Sequence, residues 1–205
     1  MEGFYRQCDD VCMTLMKALE VAWGIDDGSL VTRCVPNATD LRLTHYPAIN
    51  VDEMQSGRSS RIAPHTDFGP ITLLFQDSTG GLEIEDRTNP RPHSFVPLPP
   101  TDMTEMIVNI AGDIHRVTIP EAMKGKSALT LPRRMSMAYL FKAERNASVG
   151  PLSKFVSCAE PAKYPDMTAP EFQKSRNSIV YNVDEKKCSK DFDSLNGISG
   201  YEFPL

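Results

Sequence analysis

Apolar residues recur at steps of three and four from Phe4 through Cys8, Val11, Leu15 and Leu19 to Trp23, and the run stops at Gly24. That spacing is one stripe of an α-helix and predicts a helix over residues 1–24 with the stripe as its buried face. After a polar, turn-rich stretch the pattern changes period. Residues 41–46 alternate and stop at Pro47, which predicts a strand, and residues 50–60 read as a polar loop. Short apolar or alternating runs then follow at 71–76, 82–85, 94–98, 105–110, 115–119 and 135–141, with turn formers such as Gly80-Gly81 and Gly112-Asp113 between them. Strands this short, with turn signals every eight to twelve residues, predict an antiparallel sandwich or barrel. A looser stripe over about 168–178, capped by Thr168, predicts a closing helix, and residues 183–205 read as a polar tail.

Composition adds limits. At 205 residues with 40% apolar and 24% charged positions, the chain suits one globular domain, placed here at residues 1–182. A formal charge of -5, with no basic stripe, argues against nucleic acid or an anionic membrane as partner. No run of 18 apolar residues occurs, so no membrane-spanning helix is expected. The first ten residues lack the apolar segment of a secretory signal. Five cysteines (Cys8, Cys12, Cys34, Cys158 and Cys188) without a C-x-x-C spacing read as reduced thiols in a cytoplasmic protein. The sequons at Asn37 and Asn146 then carry no glycan.

The chemistry centres on His65-Thr66-Asp67. On a β-strand, residues two apart point to the same face, so imidazole and carboxylate converge on one point. One further histidine from a neighbouring strand completes a 2-His-1-carboxylate face, a donor set that holds Fe(II) and leaves coordination positions open. Alone, an H-x-D triplet is common and more often decorates a surface strand. The other histidines, His45 and His93, read as structural or solvent-facing, and Phe68, Phe75 and Trp23 as core.

The setting makes the triplet specific. Residues 64–77 (PHTDFGPITLLFQD), followed by Gly80-Gly81-Leu82-Glu83-Ile84, closely resemble the metal-binding segment of the isopenicillin N synthase-like Fe(II)/2-oxoglutarate oxygenases. Residues 41–47 resemble that family's preceding strand, His115-Arg116-Val117 its distal histidine segment, Arg134-Met135-Ser136 its R-x-S motif, and residues 164–181 its closing helix. The resemblance implies a double-stranded β-helix, or jelly roll, mainly β with flanking helices and a core over about residues 41–142. It implies Fe(II) held by His65, Asp67 and His115, and 2-oxoglutarate as cosubstrate, its distal carboxylate on Arg134 and Ser136 with help from Tyr46. A planar guanidinium fork beside a hydroxyl suits a carboxylate. The implied activity couples decarboxylation of 2-oxoglutarate by O2 to oxidation of a small organic substrate: hydroxylation, desaturation or ring closure, with secondary metabolism the expected setting.

The chain departs from that family at three points. Gly112-Asp113 is followed after Ile114 by His115, where family members carry a further hairpin, so the jelly roll is expected to be incomplete by two strands with one pocket wall gone. The family's region before the first helix is missing, and Thr44 stands where many members carry Asn. Two alternative functions follow: a non-catalytic remnant of such an oxygenase, or a same-fold oxidase that uses no 2-oxoglutarate. Primary substrate and oligomeric state are not legible.

Overall fold

The computed structural model describes residues 1–181 except Pro90, Pro92, Ala111 and Lys163, so the expected tail lies outside the described residues. Helix α1 (Glu2–Trp23) is followed by β1 (Asp40–Tyr46), β2 (Ile49–Asn50), α2 (Val51–Gln55), β3 (Ile62–His65), β4 (Ile71–Gln76), β5 (Leu82–Glu85), β6 (Phe95–Pro97), β7 (Ile107–Ile110), β8 (His115–Val117), β9 (Thr130–Leu131), β10 (Arg134–Phe141) and α3 (Ala169–Tyr181). The eight longer strands form two four-stranded antiparallel sheets, β1-β10-β4-β7 and β3-β8-β5-β6. Strands near in sequence mostly fall in opposite sheets, the mark of a double-stranded β-helix. On either side of the gap where a further hairpin was expected, β7 and β8 form as strands of four and three residues, one in each sheet.

Reach explains how the chain passes between them. Five peptide steps join Ile110 to His115, and at about 3.4 Å per extended residue they exceed the roughly 10 Å between packed sheets. The chain therefore crosses directly from one sheet to the other. Arg87 secures the crossing by donating to the Gly112 carbonyl and standing 3.4 Å from the Asp113 carboxylate.

Parity decides which residues face the interior. Directly paired residues in adjacent strands share a face. Tyr46 is paired with Arg134, Thr44 with Ser136, Ser136 with Gln76, and Thr72 with Asn109, so these side chains line one face of the first sheet. The opposite face carries Ile71, Leu73, Tyr139 and Phe141, which form the main core with Cys8, Cys12, Met16 and Cys34 under α1. Edge-to-face ring pairs, Phe4–Phe75 at 5.3 Å and Tyr5–Tyr139 at 4.9 Å, clamp the helix to the sheet.

The buried residues of α1 are Cys8, Cys12, Met16 and Glu20, so the helix is turned from the expected stripe and Val11 is 37% exposed. Glu20 turns inward because its carboxylate accepts three N–H groups from the following loop, of Gly28, Leu30 and Val31. The expected polar loop 50–60 contains α2, whose Asn50 cap accepts the Asp52 N–H at 2.7 Å. At α3, Glu171 accepts both the N–H and the hydroxyl of Thr168, the return half of a capping box.

Candidate metal and cosubstrate site

Two glycines bring the chain to the site. Gly69 lies in the passage from β3 to β4, where a Cβ would stand 2.0 Å from the Phe141 carbonyl oxygen. Gly81, at φ +87°, opens β5, and a Cβ there would stand 2.3 Å from the Thr118 carbonyl oxygen. Neither approach admits a side chain.

His65 and Asp67 do not share a strand as expected. His65 ends β3, and Asp67 lies in the passage that crosses to the other sheet. The convergence survives by another route. His65 is paired with His115 across β3 and β8, and Ile84 faces His115 from β5. The two imidazole rings lie 4.3 Å apart, and Asp67 reaches in to place Oδ1 3.8 Å from His115 Nε2. One ligand atom from each of His65, Asp67 and His115 falls within 4.8 Å of the others, and this is the one such cluster among the described residues.

Each ring is held by its rear nitrogen. Nδ1 of His65 donates to the Ala63 carbonyl at 2.9 Å, and Nδ1 of His115 to the Asp113 carbonyl at 3.1 Å. A carbonyl only accepts, so the proton sits on Nδ1 and Nε2 presents a lone pair, the tautomer a metal needs. Burial, then the neighbouring His115, lowers the pKa of His65 and favours its neutral form. On the carboxylate, Asn109 of β7 donates to Asp67 Oδ2 at 3.2 Å, which leaves Oδ1 toward the histidines. Two neutral nitrogens and one carboxylate oxygen are a donor set for a first-row divalent metal such as Fe(II).

On the other sheet Arg134 is 1% exposed. Its Nη2 donates to Gln76 Oε1 at 2.6 Å, while Nε and Nη1 are buried without a partner. Burial pulls its pKa below the ordinary value, yet a guanidinium stays charged in proteins. A buried cation with free N–H groups is a receptor for an anion. Ser136 is buried two residues along the same strand and on the same face. Tyr46 lies against Arg134, its ring centroid 5.3 Å from Cζ. The residues therefore fit both a metal and a carboxylate ligand.

Of the other side chains weighed in the sequence, His45 is exposed on the outer face of β1, and His93 stands 3.5 Å from Glu85. Phe68 is not core. It is 37% exposed and lines a cleft of about 1160 Å³ that opens beside Asp67, with Trp23, Ile110, Ile114 and Phe172 among its walls. Gln76, Asn109 and Arg61 are the residues that sequence reasoning passed over. Gln76 carried the one available signal: a polar side chain closing the motif's largely apolar run.

The chain is 40% identical over 202 residues to the 2-oxoglutarate-dependent dioxygenase imqE of Aspergillus flavus, a match spanning 93% of this chain and 55% of that protein. It is 39% identical over 193 residues to the peptide transporter imqJ of the same organism, spanning 88% of this chain and 38% of that one. Among solved structures, a full-length Neurospora crassa protein crystallised in complex with alpha-KG superposes with a TM-score of 0.70 at 27% identity, covering 87% of this chain and 56% of the Neurospora chain. The chain thus spans about half the length of the relatives it matches. Residues 38–143, just over half of its 205 residues, match the 2OG-Fe(II) oxygenase superfamily, and the chain belongs to that family.

Proposed function

We propose that His65, Asp67 and His115 hold Fe(II), that Arg134 and Ser136 with Tyr46 hold the distal carboxylate of 2-oxoglutarate, and that the protein oxidises a small organic molecule. The observation that carries this reading is the convergence of two Nε2 lone pairs and one carboxylate oxygen within 4.8 Å, facing a buried guanidinium with unpartnered N–H groups. When bound, iron would activate O2, the oxidant, with 2-oxoglutarate oxidised to succinate and CO2 as the substrate is oxidised. The protein's own groups do the rest. Nδ1–H bonds to Ala63 and Asp113 fix both imidazoles, Asn109 fixes the carboxylate, and Gln76 aims Arg134. The cleft beside Asp67, walled by Phe68, Ile110 and Ile114, receives the substrate and displaces water from the reacting carbon. Its mixed apolar lining suits a small, largely hydrophobic metabolite, in keeping with hydroxylation, desaturation or ring closure in secondary metabolism.

Anaerobic titration with Fe(II) and 2-oxoglutarate tests the reading. A visible metal-to-ligand charge-transfer band is expected for the wild type and is expected to vanish in Asp67→Ala and His115→Ala. A folded wild-type protein that stays colourless identifies a non-catalytic remnant. A substrate oxidised without succinate identifies a same-fold oxidase.

We also place the protein in the cytoplasm, away from nucleic acid and membranes. The net charge of -5 and three buried free thiols support that setting, and no described helix is long and apolar enough to cross a membrane.

A further inference from the structure

Arg134 is not the only arginine beside Tyr46 with buried N–H groups that lack an acceptor. Arg61, just before β3, donates from Nη2 to the Pro132 carbonyl at 2.5 Å, while its Nε and Nη1 are buried without a partner. Its Cζ lies 5.8 Å from the centroid of the Tyr46 ring, the ring that Arg134 approaches to 5.3 Å. Two guanidinium groups therefore stand against one phenol, and four of their nitrogens lack acceptors. Burial, then the charge of Arg134, pulls the pKa of Arg61 below its ordinary value, so the two cations repel. The Asp77 carboxylate attracts both, but its oxygens already accept the N–H groups of Met135 at 2.6 Å and Thr79 at 3.0 Å.

Like charges held together in a buried wall with open hydrogen-bond positions are costly in the empty protein and favourable around an anion. A carboxylate offers about four lone-pair sites and accepts bidentately from arginine, so it can draw on the open nitrogens of both guanidinium groups. We infer that Arg61 is a second arm of the cosubstrate clamp, closing on the distal carboxylate of 2-oxoglutarate from the β3 side while Arg134 holds it from β10. This rests on the function proposed above and adds to it a residue outside the R-x-S motif. The same arrangement ties cosubstrate to metal, because Arg61 and His65 bracket a single four-residue strand.

The test is equilibrium binding of 2-oxoglutarate to the full chain with Fe(II) under anaerobic conditions, by calorimetry, for wild type, Arg61→Met, Arg61→Lys and the exposed control Arg58→Met. Loss of a charged hydrogen bond is expected to raise the Kd of Arg61→Met about tenfold or more. Arg61→Lys is expected to lose less and Arg58→Met nothing. Thermal melts separate a ligand-holding arginine from a structural one. Without ligand, Arg61→Met is expected to melt at or above the wild-type temperature, since a repelling charge is gone, and to gain less from added 2-oxoglutarate. A wild-type Kd in Arg61→Met, or a lower melting temperature with unchanged affinity, overturns the assignment. If Arg61→Met does not fold, the Kd of Arg61→Lys decides in the same way. A wild-type protein that binds no 2-oxoglutarate sinks the proposed function, and this inference with it; wild-type binding that Arg61 does not influence sinks the inference alone.

Discussion

Asp67 shows how much of a candidate metal site is settled by neighbours outside the donor set. Its carboxylate hangs from a passage between sheets and could turn either oxygen toward the histidines. Asn109 removes the choice by donating to Oδ2 at 3.2 Å from the opposite sheet. Losing a hydrogen bond of this kind typically weakens metal affinity by about 10–100-fold. Asn109→Ala is therefore expected to raise the Fe(II) Kd at least about tenfold, read by competition with a coloured chelator, while leaving the circular dichroism spectrum unchanged. Unchanged affinity would show that the contact does not orient the ligand. His65, Asp67, His115 and Arg134 were legible because their residue types and order form a pattern along the chain. Asn109, Gln76 and Arg61 were not, because each matters only through a partner far away in sequence. Asn109 sits 42 positions from Asp67, and Gln76 is 58 positions from Arg134.

Among the elements, α1 shows why a period predicts a helix better than it predicts the buried face. The three-and-four spacing fits the observed span, but the face turns so that Cys8, Cys12, Met16 and Glu20 are covered. A glutamate in the buried row breaks the apolar pattern, and only the loop that folds back over it explains its position. Burial pushes the Glu20 carboxyl up, yet the N–H groups of Val31, Gly28 and Leu30 outweigh that and hold it below the usual range. A depressed folded pKa gives stability that is present above the unfolded value of about 4.3 and lost as pH falls through the folded value. Glu20→Gln is expected to cost about 1–3 kcal/mol at pH 6, and the gap to wild type should shrink toward pH 3 in paired urea melts. An equal gap at both pH values would mean that the ionised carboxylate is not what anchors the loop. The same helix shields its thiols. Burial, first among the causes, raises the pKa of Cys12 to about 12 and of Cys34 to about 11. Exposed Cys158 is thus expected to alkylate well before Cys8, Cys12 and Cys34 in native protein, as peptide mapping would show. Comparable rates would mean that α1 lifts off the sheet readily.

At the scale of the whole molecule, the site is also the seam between the two sheets. His65 and His115 belong to one sheet, Arg134, Ser136 and Asn109 to the other, and Asp67 to the passage between them. The partition was hidden in the sequence because strands of three or four residues show too little alternation to reveal their sheet. Where a hairpin was expected before His115, what a crossing needs is reach, and the step from Ile110 to His115 has enough. β7 and β8 are strands of only four and three residues. On the function proposed above, metal and cosubstrate touch both sheets and add to the molecule's cohesion. A ligand that binds only the folded state stabilises it by about 2.7 kcal/mol at a hundredfold excess over Kd, and metal and cosubstrate act in sequence. For a domain of this size each kcal/mol moves the midpoint by about 2–4 °C. Fe(II) at a hundredfold excess over its Kd, under anaerobic conditions, is therefore expected to raise the melting temperature by about 5–10 °C. 2-Oxoglutarate is expected to add a further rise only when metal is present. Amide exchange should slow most in β3, β8 and β10, where the two sheets would be joined, and least in α3. A shift of that size with protection confined to one sheet would mean that the ligands bind a single wall, and the seam would not be what they hold together.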